Sequence, residues 1–127
     1  MTNLKRTICV LSAVLMLAGC KGDPGKVSKA DLKKIRGAAE NVSIGMSKDD
    51  ALAAYPKGNK VRLSTSSVEG VTIEEWKVEA YHDDDWKKSR DLYVTFRYFA
   101  GDKLVDISDT RHDYREDPEL VSQWLGR

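Results

Sequence analysis

The stretch Val71-Thr72-Ile73-Glu74-Glu75-Trp76-Lys77-Val78-Glu79-Ala80-Tyr81 decides the architecture, together with Leu92-Tyr93-Val94-Thr95-Phe96-Arg97-Tyr98-Phe99 further on. In the first run Trp76, Val78 and Ala80 alternate with Glu75, Lys77 and Glu79, so a strand here has one dry side and one wet side. In the second run Leu92, Val94, Phe96 and Tyr98 alternate with Tyr93, Thr95, Arg97 and Phe99. Gly101-Asp102 supplies a turn, and Leu104 to Ile107 reads as the returning strand. Upstream, Val61, Leu63 and Thr65 alternate with Arg62 and Ser64, until Ser66-Ser67 and Glu69-Gly70 break the run. That segment is either a first strand or an irregular loop. The pattern predicts a three- to four-stranded antiparallel sheet, with helices on one face hiding the side that bears Trp76 and Phe96.

The flanks read as helices. Ser28, with Asp31 three positions on, opens a first helix in a capping-box-like arrangement. Leu32, Ile35, Ala38, Ala39 and Val42 then recur at helical spacing. Ser47, with Asp50 three positions on, opens a second helix that Pro56 and Gly58 end. Gly45 between them permits a tight turn with positive φ, and the pair reads as a short helical hairpin. Asp117 and Pro118 suit the N-cap and first position of a last short helix, with Leu120, Val121, Trp124 and Leu125 on its apolar side. The fold class expected is therefore α+β: two N-terminal helices packed on the sheet, with a short C-terminal helix.

Residues 1–27 stand apart from this domain. Lys5 and Arg6 precede an apolar run from Thr7 to Leu17, as in a signal peptide and too short to span a bilayer comfortably. It closes on Leu17-Ala18-Gly19-Cys20, which is similar to a bacterial lipobox. The organisation expected is a lipoprotein signal peptide over 1–19, a lipidated tether over 20–27 and one α+β domain over 28–127. Cleavage before Cys20 removes two basic residues and no acidic one, leaving 19 Lys and Arg against 20 Asp and Glu, a net charge of −1. Cys9 leaves with the signal and Cys20 carries lipid, so the domain must be stable without a disulfide. Lys21 follows the cysteine where an Asp would direct retention in the inner membrane, so the expected location is the periplasmic face of the outer membrane.

Composition excludes several functions. The chain has 127 residues, 21 Lys and Arg against 20 Asp and Glu, and is 41% hydrophobic and 32% charged. That balance offers no basic face for a nucleic acid, and the length leaves no room for a separate cofactor domain. His82-Asp83-Asp84-Asp85 groups one imidazole with three carboxylates, but consecutive side chains of an extended segment point apart, whereas a metal site needs converging ligands. Ser64, Thr65, Ser66 and Ser67 lack a Gly-x-Ser-x-Gly elbow. Glu74 and Glu75 fall on opposite faces of a strand and cannot act together on one bond. No Gly-rich phosphate loop follows a strand. The expectation is no catalytic residue, no metal, no cofactor and no small-molecule substrate.

Val42-Ser43-Ile44-Gly45-Met46-Ser47-Lys48-Asp49-Asp50-Ala51-Leu52 resembles the SmpA/OmlA (BamE-like) family of outer-membrane lipoproteins. In that family an apolar residue and Gly-Met-Ser or Gly-Met-Thr precede a helix. The resemblance continues in the Trp-containing segment Glu75-Trp76-Lys77-Val78 and in the hairpin from Tyr93 through Gly101 to Ile107. It covers roughly residues 30–108 besides the lipobox. The family shares an ααβββ unit with β-lactamase-inhibitor-like domains. The chain departs from it at Ala54-Tyr55-Pro56, where the family has Leu-Gly, in Asp83-Asp84-Asp85, and in the helix after Arg111.

The resemblance implies a non-enzymatic accessory scaffold in outer-membrane protein assembly or envelope integrity, held to the membrane by the lipid on Cys20 and bound to an envelope protein complex. A different class of function also fits: a periplasmic lipoprotein that binds and inhibits a hydrolase such as a β-lactamase or lysozyme. Candidate partner contacts are Ile44 and Met46, in the family-like turn, and Tyr93 and Phe99, on the strand face opposite Phe96. Trp76 is expected in the core.

Overall fold

The structure is a computed structural model in which residues 23–127 are described. Residues 1–19, expected as a signal peptide, and Cys20 lie outside the described residues. Helix α1 (Lys29–Ala39) and helix α2 (Lys48–Ala53) precede strands β1 (Asn59–Val68), β2 (Val71–Asp84), β3 (Ser89–Ala100) and β4 (Lys103–Ser108). A 3-10 turn (Tyr114–Glu116) and helix α3 (Pro118–Trp124) follow. The strands form one antiparallel sheet in the order β1-β2-β3-β4. The protein is thus α+β, with a four-stranded antiparallel sheet and a short C-terminal helix.

Local chemistry starts each helix. Ser28 Oγ accepts the Asp31 N–H at 3.1 Å, Ser47 Oγ accepts that of Asp50 at 3.2 Å, and Asp117 Oδ1 accepts that of Leu120 at 3.0 Å. Each bond satisfies one of the donors that a helix start leaves unpaired. The two N-terminal helices do not stack as a hairpin layer. α2 is only six residues long; it lies against β4, whereas α1 lies against β2. The chain between them is tied to the sheet instead. Gly45 N–H donates to the Leu104 carbonyl, Leu104 N–H to Met46 and Lys48 N–H to Asp102, each at 2.8 Å. Residues 45–48 therefore cover the outer edge of β4, where unpaired backbone groups would invite another strand. Gly45, at φ +97°, makes the bend that allows it.

Register decides what each face carries, and it corrects the expected sides. Trp76 pairs with Arg97, Val78 with Thr95 and Ala80 with Tyr93, while Glu75 pairs with Tyr98 and Lys77 with Phe96. Directly paired residues point to the same side, so Trp76 and Phe96 lie on opposite faces of the sheet. The face of Trp76, Val78, Ala80, Phe99 and Leu104 is covered by Leu32 and Ile35 of α1, by Ala51 of α2 and by Tyr55. The other face, bearing Ile73, Phe96 and Tyr98, is covered at one end by Tyr114 and by Val121 and Trp124 of α3. The sheet is a partition between two cores. β1 also runs on through Ser66-Ser67 as strand. Its turn is at Glu69-Gly70, both at positive φ, and Leu63 is bulged out of register.

Candidate functional site

Ile44, the residue before Gly45, is 58% exposed. It borders a cleft of about 320 Å³ together with Val105 of β4 and Leu120, Gln123 and Trp124 of α3. Val105 is the unpaired residue of a second bulge, between the pairs Tyr98–Asp106 and Phe99–Leu104. A bulge re-aims the strand at that point, and here it places Val105 beside α3. Trp124 is fixed from below, its ring stacked on Tyr98 at 5.2 Å between centroids. The cleft therefore joins the N-terminal turn to the C-terminal helix across the edge of the sheet.

The other candidate contacts do not share this surface. Met46 is half-buried against the core on the α1–α2 side. Tyr93 is half-buried on that same face, its hydroxyl 3.3 Å from that of Tyr55. Burial and the Tyr55 hydroxyl hold the Tyr93 phenol above its ordinary range. Phe99 is fully buried beneath the N-terminal helices and is unavailable to a partner. Its assignment as a contact is corrected: Phe99 shares the phase of Trp76, and the segments packed over that face, not α3, bury it. Of the four residues, only Ile44 lies on an open surface.

Two buried polar clusters were not legible as sites. Glu75 is 1% exposed. Its Oε2 accepts Arg111 Nε at 2.9 Å and the Tyr98 hydroxyl at 3.0 Å; its Oε1 accepts Arg111 Nη2 at 3.1 Å and Ser64 Oγ at 3.1 Å. Burial pushes the Glu75 carboxyl up, but these donors outweigh it and hold it below the usual carboxylate range. Tyr98, raised by burial, is pushed up to about 12 and so remains a donor at neutral pH. His112 N–H donates to the Tyr98 hydroxyl at 2.7 Å. Every carboxylate lone pair is thus occupied, and the arrangement pins the chain after β4 to the sheet.

Arg97 is the second. It is 2% exposed, and its Nη2 donates to the hydroxyl of Tyr55 and, at 3.4 Å, to that of Tyr93. Its Nε and Nη1 are buried without a partner. The guanidinium lies 5.6 Å from the centre of the Tyr55 ring. No carboxylate pairs with it among the described residues.

In the Glu75 cluster the Ser64 hydroxyl lies 3.1 Å from the carboxylate, but that carboxylate is buried and also accepts from Arg111 and Tyr98. Glu74 faces the α1–α2 side, bonded to Lys48 at 3.2 Å and to Trp76 Nε1 at 2.7 Å, so the two adjacent carboxylates are separated by the sheet. Among the described residues no three His, Cys, Asp or Glu side chains converge as metal ligands, and no helix is long and apolar enough to cross a membrane. Comparison with protein-family models, with curated proteins and with solved structures yields no match.

Proposed function

We propose that this protein is a lipid-anchored lipoprotein of the outer membrane's periplasmic face, acting without catalysis as an accessory scaffold for an envelope protein complex. The carrying observation is the Ile44–Val105–Leu120–Trp124 surface, where an exposed aliphatic side chain stands over a cleft floored by a stacked tryptophan. Interfaces concentrate their energy in such desolvatable apolar and aromatic anchors. The leader ending at Cys20 supports the membrane attachment, and the order of the family-like segments supports the scaffold role. Cross-linking in intact envelopes followed by purification tests the reading. Integral outer-membrane proteins should co-purify with the wild type and be lost with Ile44→Glu at unchanged melting temperature. Capture of a soluble hydrolase instead would replace the scaffold with an inhibitor.

A further inference from the structure

The β2–β3 hairpin ends in a device that the scaffold role does not use. Trp86 is 93% exposed, the most open large apolar side chain among the described residues. The loop is fixed around it. Asp84 Oδ1 accepts the backbone N–H groups of Trp86 and Lys87, both at 3.1 Å. Arg90 clamps Asp83 through two bonds, at 2.6 and 3.2 Å, and its guanidinium lies 4.1 Å above the Tyr81 ring. Lys88, at φ +52°, takes a conformation unfavourable for a side-chain-bearing residue. The backbone that presents the indole to solvent is thus held in place, with the exposed Lys87 and Lys88 beside it.

The path of the chain indicates what does. Residues 25–27 run beside the end of β2: Tyr81 N–H donates to the Gly25 carbonyl at 2.7 Å, and Val27 N–H to the Tyr81 carbonyl at 2.8 Å. The Tyr81 hydroxyl donates to Asp23 Oδ2 at 2.7 Å. Tyr81 is three residues from the end of β2, and Asp23 is three residues from Cys20. Three residues span at most about 10 Å, so the acyl chains enter the bilayer within reach of the hairpin tip.

We infer that Trp86 is a second membrane contact, its indole seated in the headgroup region of the bilayer that holds the Cys20 lipid, with Lys87 and Lys88 toward the phosphates. Tryptophan favours that interface because one end of its ring system is apolar and the N–H is polar. This inference rests on acylation of Cys20.

The test uses the mature acylated protein in vesicles of phosphatidylethanolamine and phosphatidylglycerol, doped with phospholipid brominated high on the acyl chain. Bromine should quench part of the tryptophan emission, and Trp86→Ala should abolish that part, because Trp76 and Trp124 pack within the protein. Intact mass and flotation are read on the same sample. An acylated, vesicle-bound protein whose quenching is the same with and without Trp86 overturns the inference alone, as does a photo-cross-link from position 86 that goes to protein rather than lipid. An unmodified Cys20 overturns the anchoring and this inference together.

Discussion

Glu75→Gln is nearly isosteric, so its effect isolates the charge. Each Glu75 oxygen accepts one Arg111 N–H and one hydroxyl. Whichever oxygen becomes NH₂, one Arg111 donor then faces another donor. The hydroxyl on that side can rotate and accept instead, so one charged hydrogen bond is the minimum loss. Such a bond contributes about 1.5–3 kcal/mol, a large share of a small domain's stability of about 5–15 kcal/mol. Urea unfolding should therefore show a loss of about 2 kcal/mol with an unchanged slope. Amide exchange should rise first in residues 109–127, which this network pins. The pH dependence has a definite sign. The folded carboxyl lies below its unfolded value of about 4.3, so the stabilisation is complete above that pH and is lost as the pH falls toward the folded value. Glu75→Gln should flatten that acid limb. A loss below about 0.5 kcal/mol, or an acid limb identical to wild type, would refute the network as the fastening of the C-terminal segment.

Three further substitutions probe the face beneath the N-terminal helices. Phe99→Ala should cost about 3–5 kcal/mol in a denaturant melt, as expected for a fully buried ring, and a near-neutral result would return Phe99 to the surface. Arg97→Met should stabilise by about 1–3 kcal/mol, because two buried donors without partners cost more than the tyrosine contacts return; destabilisation in the same melt would show that Nε and Nη1 are satisfied. Met46→Glu should keep a cooperative thermal transition and lose about 1–3 kcal/mol; complete unfolding would place Met46 in the deep core.

Helix starts were legible because they are local: Ser28, Ser47 and Asp117 each cap the third residue on, within one turn of chain. Strand positions were legible from alternation. Faces were not, because β3 is apolar in both phases, with Phe96 and Tyr98 in one and Tyr93 and Phe99 in the other. Which phase joins Trp76 depends on whether the hairpin loop holds an odd or even number of residues, and a shift by one exchanges every side chain. The four residues between Asp84 and Ser89 pair Trp76 with Arg97. The bulges at Leu63 and Val105 alter phase again, and nothing in the composition around them announces it. Glu75 and Arg97 read as wet positions for the same reason. Their burial follows from partners distant in sequence, Arg111 for one and Tyr55 for the other. Of the proposed docking surface, Ile44 was legible through its turn, whereas Val105, Leu120 and Trp124 join it only by folding.

β2 spans the molecule, and its ends serve different neighbours in the proposed arrangement. Ile44 sits beside Leu104, which pairs with Phe99 and through it stands level with Glu74. Ten strand steps from Asp84 to Glu74 amount to roughly 33 Å. With Trp86 touching lipid, the domain becomes a gauge. Where β2 stands along the membrane normal, the protein-facing patch is held at a set height above the bilayer, where a flexible stalk would sample a spread of heights. Whatever docks at Ile44 must then present its own contact at that altitude, so a longer leash between Cys20 and Asp23, combined with removal of the Trp86 contact, would preserve affinity in solution yet spoil assembly on the membrane.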